Sequence, residues 1–303
     1  MKAVPPQRHV AFSQTPKLRT IVLASRIAKD FDNEATGFPR TVMSGEETMG
    51  DQKSKAEQFR ALHIPGKPFV LFNIWDAGSA KAVTAGGAKA VATGSWAVAN
   101  ANGFLDGEHI SLGFVIDNLR RIVDGTCLPV SIDLESGYGD TPQLVGETIG
   151  KAIDAGAIGC NLEDSFPANS KLRETADQCG RIRFARQIAD AANFHFFINV
   201  RTDVFLQASA ECHNESMVVQ AIERAHAYAD AGADGLFAPG LANIGLIARL
   251  AKESALPLNI MVDDATPPIC VLADHGVARV SHGPRPYVMT MKTLEEAARA
   301  SGV

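Results

Sequence analysis

The sequence predicts an α/β protein built as a single (β/α)₈ barrel, the TIM-barrel architecture. After Pro65, eight short apolar segments alternate with segments of helical periodicity, the pattern of repeated strand–helix units around a parallel sheet. The apolar segments are nearly continuous, as expected for strands that are covered on both faces. The predicted strands are Phe69–Trp75, Ala90–Ser95, Pro129–Glu135, Gly159–Asp164, Phe196–Asp203, Gly235–Pro239, Pro257–Val262 and Val277–His282. Predicted helices include Leu112–Val123, Leu144–Ala155, Asp177–Ala192, Met217–Ala231 and Ile244–Ser254.

Glycines at four helix ends support the barrel. Gly87, Gly156, Gly232 and Gly276 each follow a helical segment and precede predicted strands two, four, six and eight. Glycine readily takes the left-handed conformation that ends a helix and turns the chain into the sheet. An open doubly wound sheet would instead carry a G-x-G-x-x-G loop after strand one, and residues 75–79 (WDAGS) contain none.

The first 48 residues differ from the rest, since they show no sustained periodicity. We predict that residues 1–48 form a flexible N-terminal extension and that residues 49–303 form the catalytic barrel. Met49 opens the stretch MGDQKSKAEQFRALH, which resembles a natural protein start. A mis-assigned start codon is therefore one alternative for the extension, and an organelle-targeting segment is another.

Composition narrows the class of partner. The net charge of −5 at pH 7 argues against binding to nucleic acid or to an acidic membrane surface. The chain contains no run of apolar residues long enough for a membrane-spanning helix. Its five cysteines include no CxxC pair, which is typical of reduced thiols. These features predict a cytoplasmic protein that acts on a small molecule.

Charged residues end several predicted strands, at the edge where barrel enzymes build their active sites. Asp133 and Glu135 end strand three, Glu163 ends strand four, and Arg201 lies at the end of strand five. Converging carboxylates repel one another unless a cation lies among them. Hard oxygen donors without cysteine or clustered histidine favour Mg²⁺, with Mn²⁺ as an alternative. An arginine facing them is suited to hold a substrate carboxylate or a developing oxyanion.

Several of these polar residues also have structural interpretations that the sequence leaves open. Asp76 can cap the helix that follows strand one, and Asp203 can be a structural partner of Arg201. The other residues with such an alternative are Glu163, Asp164, Asp263, Asp264 and His282.

The strand ends also bear on the substrate. None of the predicted strands ends in lysine, which disfavours a Schiff-base aldolase. The loops after strands seven and eight lack the glycine-rich phosphate site of many barrels, which favours a carboxylate over a sugar phosphate. Asn259, on strand seven, is a further candidate for substrate binding.

Five segments resemble the motifs of the isocitrate lyase/phosphoenolpyruvate mutase superfamily, in the same order. They read WDAGSAKAV, SIDLESGYG, GAIGCNLED, NVRTDVFL and ERAHAYADAGADGLFAPG, and the resemblance covers roughly residues 57–300. It implies a barrel enzyme that makes or breaks a bond beside a pyruvate-like group.

The resemblance assigns metal-binding roles to four acidic residues. Asp133 corresponds to the direct magnesium ligand, and Glu135 stands where the family usually has aspartate. Glu163 corresponds to a further acidic ligand that often acts through water. Asp106, in the loop after strand two, corresponds to an acidic residue that closes over the metal.

The resemblance assigns substrate-binding roles to another four residues. Gly94 and Ser95 correspond to the backbone and hydroxyl groups that bind the α-oxo carboxylate. Trp96 stands beside them where the family has glycine. Arg201 corresponds to the arginine that binds the substrate and its oxyanion.

The loop after strand four departs from the family pattern. Isocitrate and methylisocitrate lyases resemble one another in a P-K-K/R-C-G-H loop whose cysteine is the general acid, whereas residues 165–170 here read SFPANS. Cys179 comes about eight residues too late and is interpreted as structural. The mutase-type loop reads P-K-T-N-S, and Ala168 replaces its lysine, with Lys171 as a candidate substitute.

We therefore expect a Mg²⁺-dependent lyase that cleaves or decarboxylates a small α-oxo or 2-hydroxy carboxylate through an enolpyruvate-like intermediate. Its expected catalytic residues are Arg201, Ser95 and Glu163. One alternative is C–P bond chemistry on phosphonopyruvate, as a mutase or hydrolase, and another is a non-catalytic barrel that binds an α-oxo acid. The resemblance also implies a homo-oligomer, a dimer of dimers that exchange the C-terminal helix predicted at Tyr287–Ala300.

Overall fold

The computed structural model describes residues 45–302. Residues 1–44, most of the predicted extension, lie outside the described residues. Helix α1 spans Gly45–Ala61, so the predicted boundary at residue 48 falls inside a helix. The flexible extension stays a prediction.

Short parallel strands form the sheet at the centre of the fold. They are β1 Phe69–Leu71, β2 Asn73–Ile74, β3 Val91–Thr93, β4 Val130–Asp133, β5 Gly159–Glu163, β6 Phe197–Arg201, β7 Gly235–Ala238, β8 Leu258–Met261 and β9 Arg279–Ser281. Their order is β1-β9-β8-β7-β6-β5-β4-β3-β2. From β2 to β9, strands that are consecutive in sequence are also adjacent in the sheet, whereas β1 and β2 lie at its two ends.

The first two strands close the sheet into a barrel. A single residue, Phe72, separates β1 from β2, so they are the two halves of the strand predicted at Phe69–Trp75. The first half pairs with β9 and the second with β3, both in parallel. Because the two halves pair with opposite ends of the sheet, the strands close on themselves. The prediction of a (β/α)₈ barrel is confirmed.

Helices cover the outside of the barrel, and the five predicted helical segments each coincide with one of them. After α1 the helices are α2 Ala77–Ala85, α3 Ser95–Ala101, α4 Leu112–Asp124, α5 Pro142–Asp154, α6 Thr175–Asp190, α7 Glu215–Asp230, α8 Ile244–Glu253, α9 Ile269–Asp274 and α10 Arg285–Ala300. Two single-turn 3₁₀ helices, Val204–Leu206 and Ala210–Cys212, follow β6.

Helix α1 closes the N-terminal end of the barrel. Phe59 of α1 is fully buried and makes edge-on contacts with Phe69 and Phe197, at ring-centroid distances of 5.9 and 5.4 Å. Phe69 and Phe197 are the first residues of β1 and β6. These rings, with Leu71 and Ala92, form a small apolar core that is separate from the larger core between sheet and helices. The opposite end of the barrel, at the carboxyl ends of the strands, is the end where barrel enzymes build their active sites.

The outer layer is incomplete beside β1. Val70 points outward from β1 and is 41% exposed, whereas the outward-facing Val91 and Val280 are fully buried. A groove of about 860 Å³ lies here, between β1, α2 and the start of α10. On one face of α10, Val288 and Leu294 are 49% and 61% exposed. The barrel thus has one uncovered apolar strand next to one helix with an unburied apolar face.

Within residues 45–302, no helix is both long and apolar enough to cross a membrane. All five cysteines lie in this range and all are free, as predicted, with Cys160 and Cys179 buried.

The helix-ending glycines have the conformation that the sequence predicts. Gly156 has a φ of +94°, and a Cβ there would lie 2.8 Å from Cγ1 of Val123. Gly180, in contrast, lies within α6, and the nearest atom that its Cβ would meet is Cγ of Pro142, at 3.9 Å.

We expect Gly156→Ala to lower the free energy of unfolding by about 1–2 kcal/mol from the left-handed backbone alone, and further through the contact with Val123. Gly180→Ala is the control, and it should leave stability unchanged or raise it by up to about 1 kcal/mol, since alanine favours a helix. Equilibrium urea unfolding measures both. Equal losses in the two variants would contradict the assignment of Gly156.

Candidate active site

Adjacent strand ends bring the predicted rim residues together. The register places Glu163 beside Arg201 on β5 and β6, and Asp133 beside Asn161 on β4 and β5. Ser95, the first residue of α3, lies two positions after the last residue of β3. Since all the strands run parallel, these residues meet at one end of the barrel.

Backbone N–H groups hold both oxygens of Asp133. Its Oδ2 accepts a hydrogen bond from the N–H of Ser95 at 3.2 Å, and its Oδ1 accepts one from the N–H of Glu135 at 3.3 Å. The N–H of Ser95 is available because the first turn of a helix leaves its donors unpaired. The N–H of Asp133 donates to Oγ1 of Thr93 at 2.8 Å. The carboxylate therefore has a fixed orientation at the rim.

Arg201 is held between two carboxylates. Its Nη1 lies 3.1 Å from Oε2 of Glu163, while Nε and Nη2 donate to the two oxygens of Asp203 at 2.6 and 3.2 Å. Burial opposes the charge of Arg201, but these two carboxylates outweigh it, so the pKa of Arg201 is raised and the side chain stays protonated. Asp203, whose role the sequence left open, is a structural partner of Arg201.

Glu163 keeps one oxygen largely free. Its Oε2 is paired with Arg201, whereas Oε1 has only a 3.5 Å contact with the hydroxyl of Ser165. Burial raises the pKa of Glu163 above its ordinary value, Arg201 opposes this, and Asp203 adds to the rise.

A buried network that the sequence did not reveal holds Asp203. Asp164 is fully buried, and its oxygens accept hydrogen bonds from the N–H of Asp203 at 2.9 Å and from the hydroxyl of Thr202 at 2.9 Å. On α7, Arg224 and Tyr228 donate to Asp164 at 3.1 and 2.7 Å. Asp164 is thus an anchor for Asp203, and through it for Arg201. The i, i+4 spacing of Arg224 and Tyr228 is the one sequence signal that hinted at their common role.

Glu135 ties the loop after α3 to the end of β4. Its Oε2 accepts hydrogen bonds from the N–H groups of Gly107 and Glu108 at 2.8 and 2.7 Å, and its Oε1 accepts one from the hydroxyl of Tyr138 at 2.9 Å. Glu135 has a φ of +50° and is buried. This loop also carries Asp106.

Negative charge accumulates where these residues meet. Partial desolvation and then the charge of Asp133 raise the pKa of Asp106, although its side chain reaches solvent. Burial, Asp106 and Asp133 together raise the pKa of Glu135 to about 7. Such mutual repulsion is what a divalent cation relieves.

The donor set fits a hard cation. Among residues 45–302, no three acidic, histidine or cysteine side chains are placed to coordinate one ion together. Magnesium commonly binds through one or two carboxylates and keeps several of its water ligands. Asp133, Glu135, Glu163 and Asp106 fit that mode, in which much of the coordination is made by water.

The other residues predicted to bind substrate are Gly94, Trp96 and Asn259, which lie around the acidic residues of the rim or deeper in the barrel. Trp96 is partly exposed, and its ring lies 6.0 Å from that of Tyr287 on α10. Asn259 is buried inside the barrel, where its Oδ1 accepts a hydrogen bond from Ser281 at 3.1 Å. Gly94 immediately precedes Ser95 as the N-cap of α3. The substrate-binding roles of Gly94, Trp96 and Asn259 stay predictions.

Two residues whose roles the sequence left open, Asp76 and Asp263, have structural roles in capping a helix or a turn. Oδ1 of Asp76 accepts the N–H of Ser79 at 2.7 Å and caps α2. Oδ1 of Asp263 accepts the N–H of Thr266 at 2.9 Å within a turn. His282 packs beside the ring of Phe72, with ring centroids 4.8 Å apart.

The loop after β5 is a short hairpin rather than a long gate. Ser165 and Leu172 form an antiparallel bridge, and the guanidinium of Arg173 lies 4.0 Å from the centroid of the Phe166 ring. Cys179 lies in α6, buried, with its Sγ 3.4 Å from a carbonyl oxygen of α7. That position agrees with a structural role for Cys179.

Comparisons with known proteins identify the family. A family model described as phosphoenolpyruvate phosphomutase matches residues 59–301. The chain belongs to the isocitrate lyase/phosphoenolpyruvate mutase superfamily. A solved structure from Burkholderia cenocepacia J2315, named as a candidate phosphonomutase, is 52% identical with a TM-score of 0.81, and the match covers 83% of this chain and 100% of that one.

Two curated relatives within the superfamily show its breadth. An uncharacterised protein of Mycobacterium tuberculosis (strain CDC 1551 / Oshkosh) is 35% identical over 244 residues, which cover 80% of this chain and 88% of the relative. The 2-methylisocitrate lyase of Salmonella typhimurium is 29% identical over 224 residues, which cover 71% and 72%. Further relatives are an oxaloacetate decarboxylase and a phosphoenolpyruvate phosphomutase, so the superfamily supports more than one reaction.

We expect Tyr228→Phe to lower the free energy of unfolding by about 1–3 kcal/mol, because it leaves the buried Asp164 and Arg224 short of a hydrogen-bond partner. Tyr287→Phe, at a partly exposed position, is the control and should change stability by less than about 0.5 kcal/mol. Urea unfolding compares the two, and a Tyr228 variant as stable as the control would contradict the anchoring role of Asp164.

Proposed function

We propose that the protein is a magnesium-dependent, lyase-type enzyme that breaks a C–C bond beside the oxygen-bearing carbon of a small α-oxo or 2-hydroxy carboxylate. The supporting observation is the guanidinium of Arg201, fixed by Glu163 and Asp203 at the rim that also holds Asp133. Breaking such a bond leaves negative charge on an enolate oxygen. Positive charge that is oriented in advance lowers the barrier to that step.

Four acidic residues would hold the metal ion. Asp133 is the direct ligand in this proposal, and Glu135, Glu163 and Asp106 act through water. A magnesium ion held there would supply Lewis acidity to the reaction.

The chain's own residues bind and orient the substrate. The Ser95 hydroxyl, at the start of α3, and the backbone at Gly94 and Ser95 would receive the carboxylate. Arg201 donates to the developing enolate oxygen. With oxaloacetate, the bond from C3 to the distal carboxylate breaks and CO₂ leaves. The electron pair remains on the enolate of pyruvate, which then takes up a proton.

The match to the structure named as a candidate phosphonomutase favours a second candidate function, C–P bond chemistry on phosphonopyruvate. That reaction would use the same enolate and the same Arg201. The hairpin at 165–172 supports a third outcome, a barrel that binds α-oxo acids without turnover, because it carries no Lys-Cys-Gly-His sequence.

We expect the full chain with Mg²⁺ to release pyruvate from at least one member of a panel of α-oxo and 2-hydroxy acids that includes oxaloacetate. Asp133→Asn should reduce turnover by about 100-fold or more, since it removes the metal's direct ligand. Asp76→Asn is the matched control, because Asp76 also follows a strand of the barrel but caps a helix. It should keep both its turnover and its stability, since asparagine caps a helix about as well as aspartate.

Product analysis separates the alternatives. Phosphate or phosphoenolpyruvate formed from phosphonopyruvate, without activity on the carboxylic acids, favours C–P chemistry. Oxalate binding without turnover of any substrate favours the non-catalytic barrel. Metal-dependent turnover that survives in Asp133→Asn would overturn the site assignment.

We also infer that the protein is a homo-oligomer, a dimer of dimers, in which α10 of one copy packs in the groove beside β1 of a second copy. The groove is mostly apolar and leaves Val70 exposed, and α10 has an apolar face, formed by Val288, Met291 and Leu294, that reaches solvent. Exchange of this helix would bury both surfaces without changing the barrel.

We expect the double substitution Val288→Asp and Leu294→Asp to convert the oligomer to a smaller species, because it places charge on the face of α10 that the exchange would bury. Val219→Asp, at a position on α7 that is 38% exposed, should leave the mass unchanged. Size-exclusion chromatography with light scattering gives the masses. A wild-type monomer, or a double variant of wild-type mass, would contradict the exchange.

A further inference from the structure

Arg279, on β9, is a fully buried arginine without a hydrogen-bond partner in residues 45–302. Its side chain is 0% exposed, and none of its three guanidinium nitrogens has a hydrogen-bond partner among the described residues. The guanidinium carbon lies 5.9 Å from the centroid of the Phe59 ring, at the outer limit of a cation–π contact. One such contact does not offset the desolvation of a full charge. A residue that costs stability in this way is expected to serve another purpose.

The barrel interior around Arg279 is polar. Val280 packs outward into the core under the helices, so Arg279 and Ser281 face inward. Asn259 is the register partner of Arg279 on β8, and Asn199 lies on β6, and both are buried. The Nδ2 of Asn259 and the Oδ1 of Asn199 also lack partners among the described residues. Branched aliphatic side chains usually fill this space in barrels of this kind, so this layer does not serve packing alone.

The charge of Arg279 lies beneath the acidic rim. Arg279 precedes Ser281, the last residue of β9, by two positions, which is about 7 Å along a strand. Burial lowers the pKa of Arg279 to about 9, and the charge of Asp133 opposes this, so the side chain is protonated at neutral pH. On the other side lie Phe59 and His63, and His63 is neutral because burial and then Arg279 lower its pKa to about 3. The nearest compensating charge is therefore at the rim.

Another buried arginine in the same fold provides a contrast. Arg224 donates to Asp164, to the hydroxyl of Tyr228 and to the carbonyl of Arg173, at 3.1, 2.8 and 2.9 Å. Its charge is used locally to hold the network under Asp203. The charge of Arg279 has no such local use.

We propose that Arg279 is a positioning residue of the site, whose buried positive charge strengthens the binding of a doubly negative α-oxo acid, or its analogue oxalate, at the rim above it. This inference rests on the proposed function. At about 10 Å and an effective dielectric constant of about 20, one unit charge changes the affinity for a monoanion roughly tenfold. Arg279 thereby supplements Arg201, whose charge Glu163 and Asp203 already balance.

The test compares three variants of the full chain. Arg279→Met removes the charge and keeps an unbranched side chain, Arg279→Lys keeps a positive charge, and Arg224→Met removes a paired buried arginine. Isothermal titration with oxalate in the presence of Mg²⁺ measures binding. Urea unfolding of the same samples measures stability.

We expect Arg279→Met to bind oxalate about tenfold or more weakly than wild type, with a urea midpoint equal to or above that of wild type. Arg279→Lys should bind within about threefold of wild type. Arg224→Met should show a clearly lower urea midpoint, because it leaves Asp164 buried without its ion-pair partner.

The outcomes separate this inference from the proposed function. If wild type binds oxalate and Arg279→Met binds it equally well, the role of Arg279 is overturned and the proposed function stands. If Arg279→Met has a lower urea midpoint than wild type but an unchanged affinity for oxalate, Arg279 has a structural role and the inference is likewise overturned. If wild type itself binds no oxalate, both proposals fail.

Discussion

The ion pair between Arg201 and Glu163 is the interaction on which the rest of the site depends. The register of β5 and β6 makes the two residues neighbours at the carboxyl end of the barrel. Asp203 holds the other edge of the guanidinium, so its plane cannot rotate freely. Asp164 in turn fixes Asp203 from below. A charge oriented by three carboxylates in succession is ready before any substrate arrives, which is what stabilising an oxyanion requires.

The same arrangement explains why the rim is suited to a cation. Glu163 and Asp203 balance the charge of Arg201. Asp133, Glu135 and Asp106 remain close together, and no positive side chain among residues 45–302 pairs with them at the rim. Burial and then mutual repulsion raise the pKa values of Glu135 and Asp106. Positive charge can reach them from a bound divalent ion above, and from Arg279 beneath. The site therefore contains one arginine, Arg201, whose charge is neutralised by its carboxylate partners, and three carboxylates whose negative charge is not neutralised by a neighbouring side chain at the rim.

Two further regions, the hairpin after β5 and helix α10, are at the periphery of that centre. The hairpin after β5 is closed by its own bridge and by the packing of Arg173 on Phe166. It lies apart from Asp133 and Arg201, the residues to which the proposed function assigns metal binding and oxyanion stabilisation, and in that proposal it would affect what covers the substrate. Helix α10 begins beside the rim, where Tyr287 contacts Trp75 and Trp96, and then extends past an uncovered strand. Any partner of α10 would therefore reach the edge of the site as well.

The sequence by itself determined the barrel, because strand–helix alternation and helix-ending glycines are local features. It also placed Asp133, Glu163 and Arg201 at one rim, since parallel strands all end on the same side. Only the tertiary structure distinguished Asp76, a helix cap, from Asp203, a partner of Arg201, because the two follow strands in similar local contexts. It alone showed that Asp164 is bound to Arg224, and that Arg279 has no hydrogen-bond partner in the part of the chain that the structure describes. Those facts depend on contacts between segments that are distant in sequence, and hydrophobic periodicity does not predict which buried charges will come into contact.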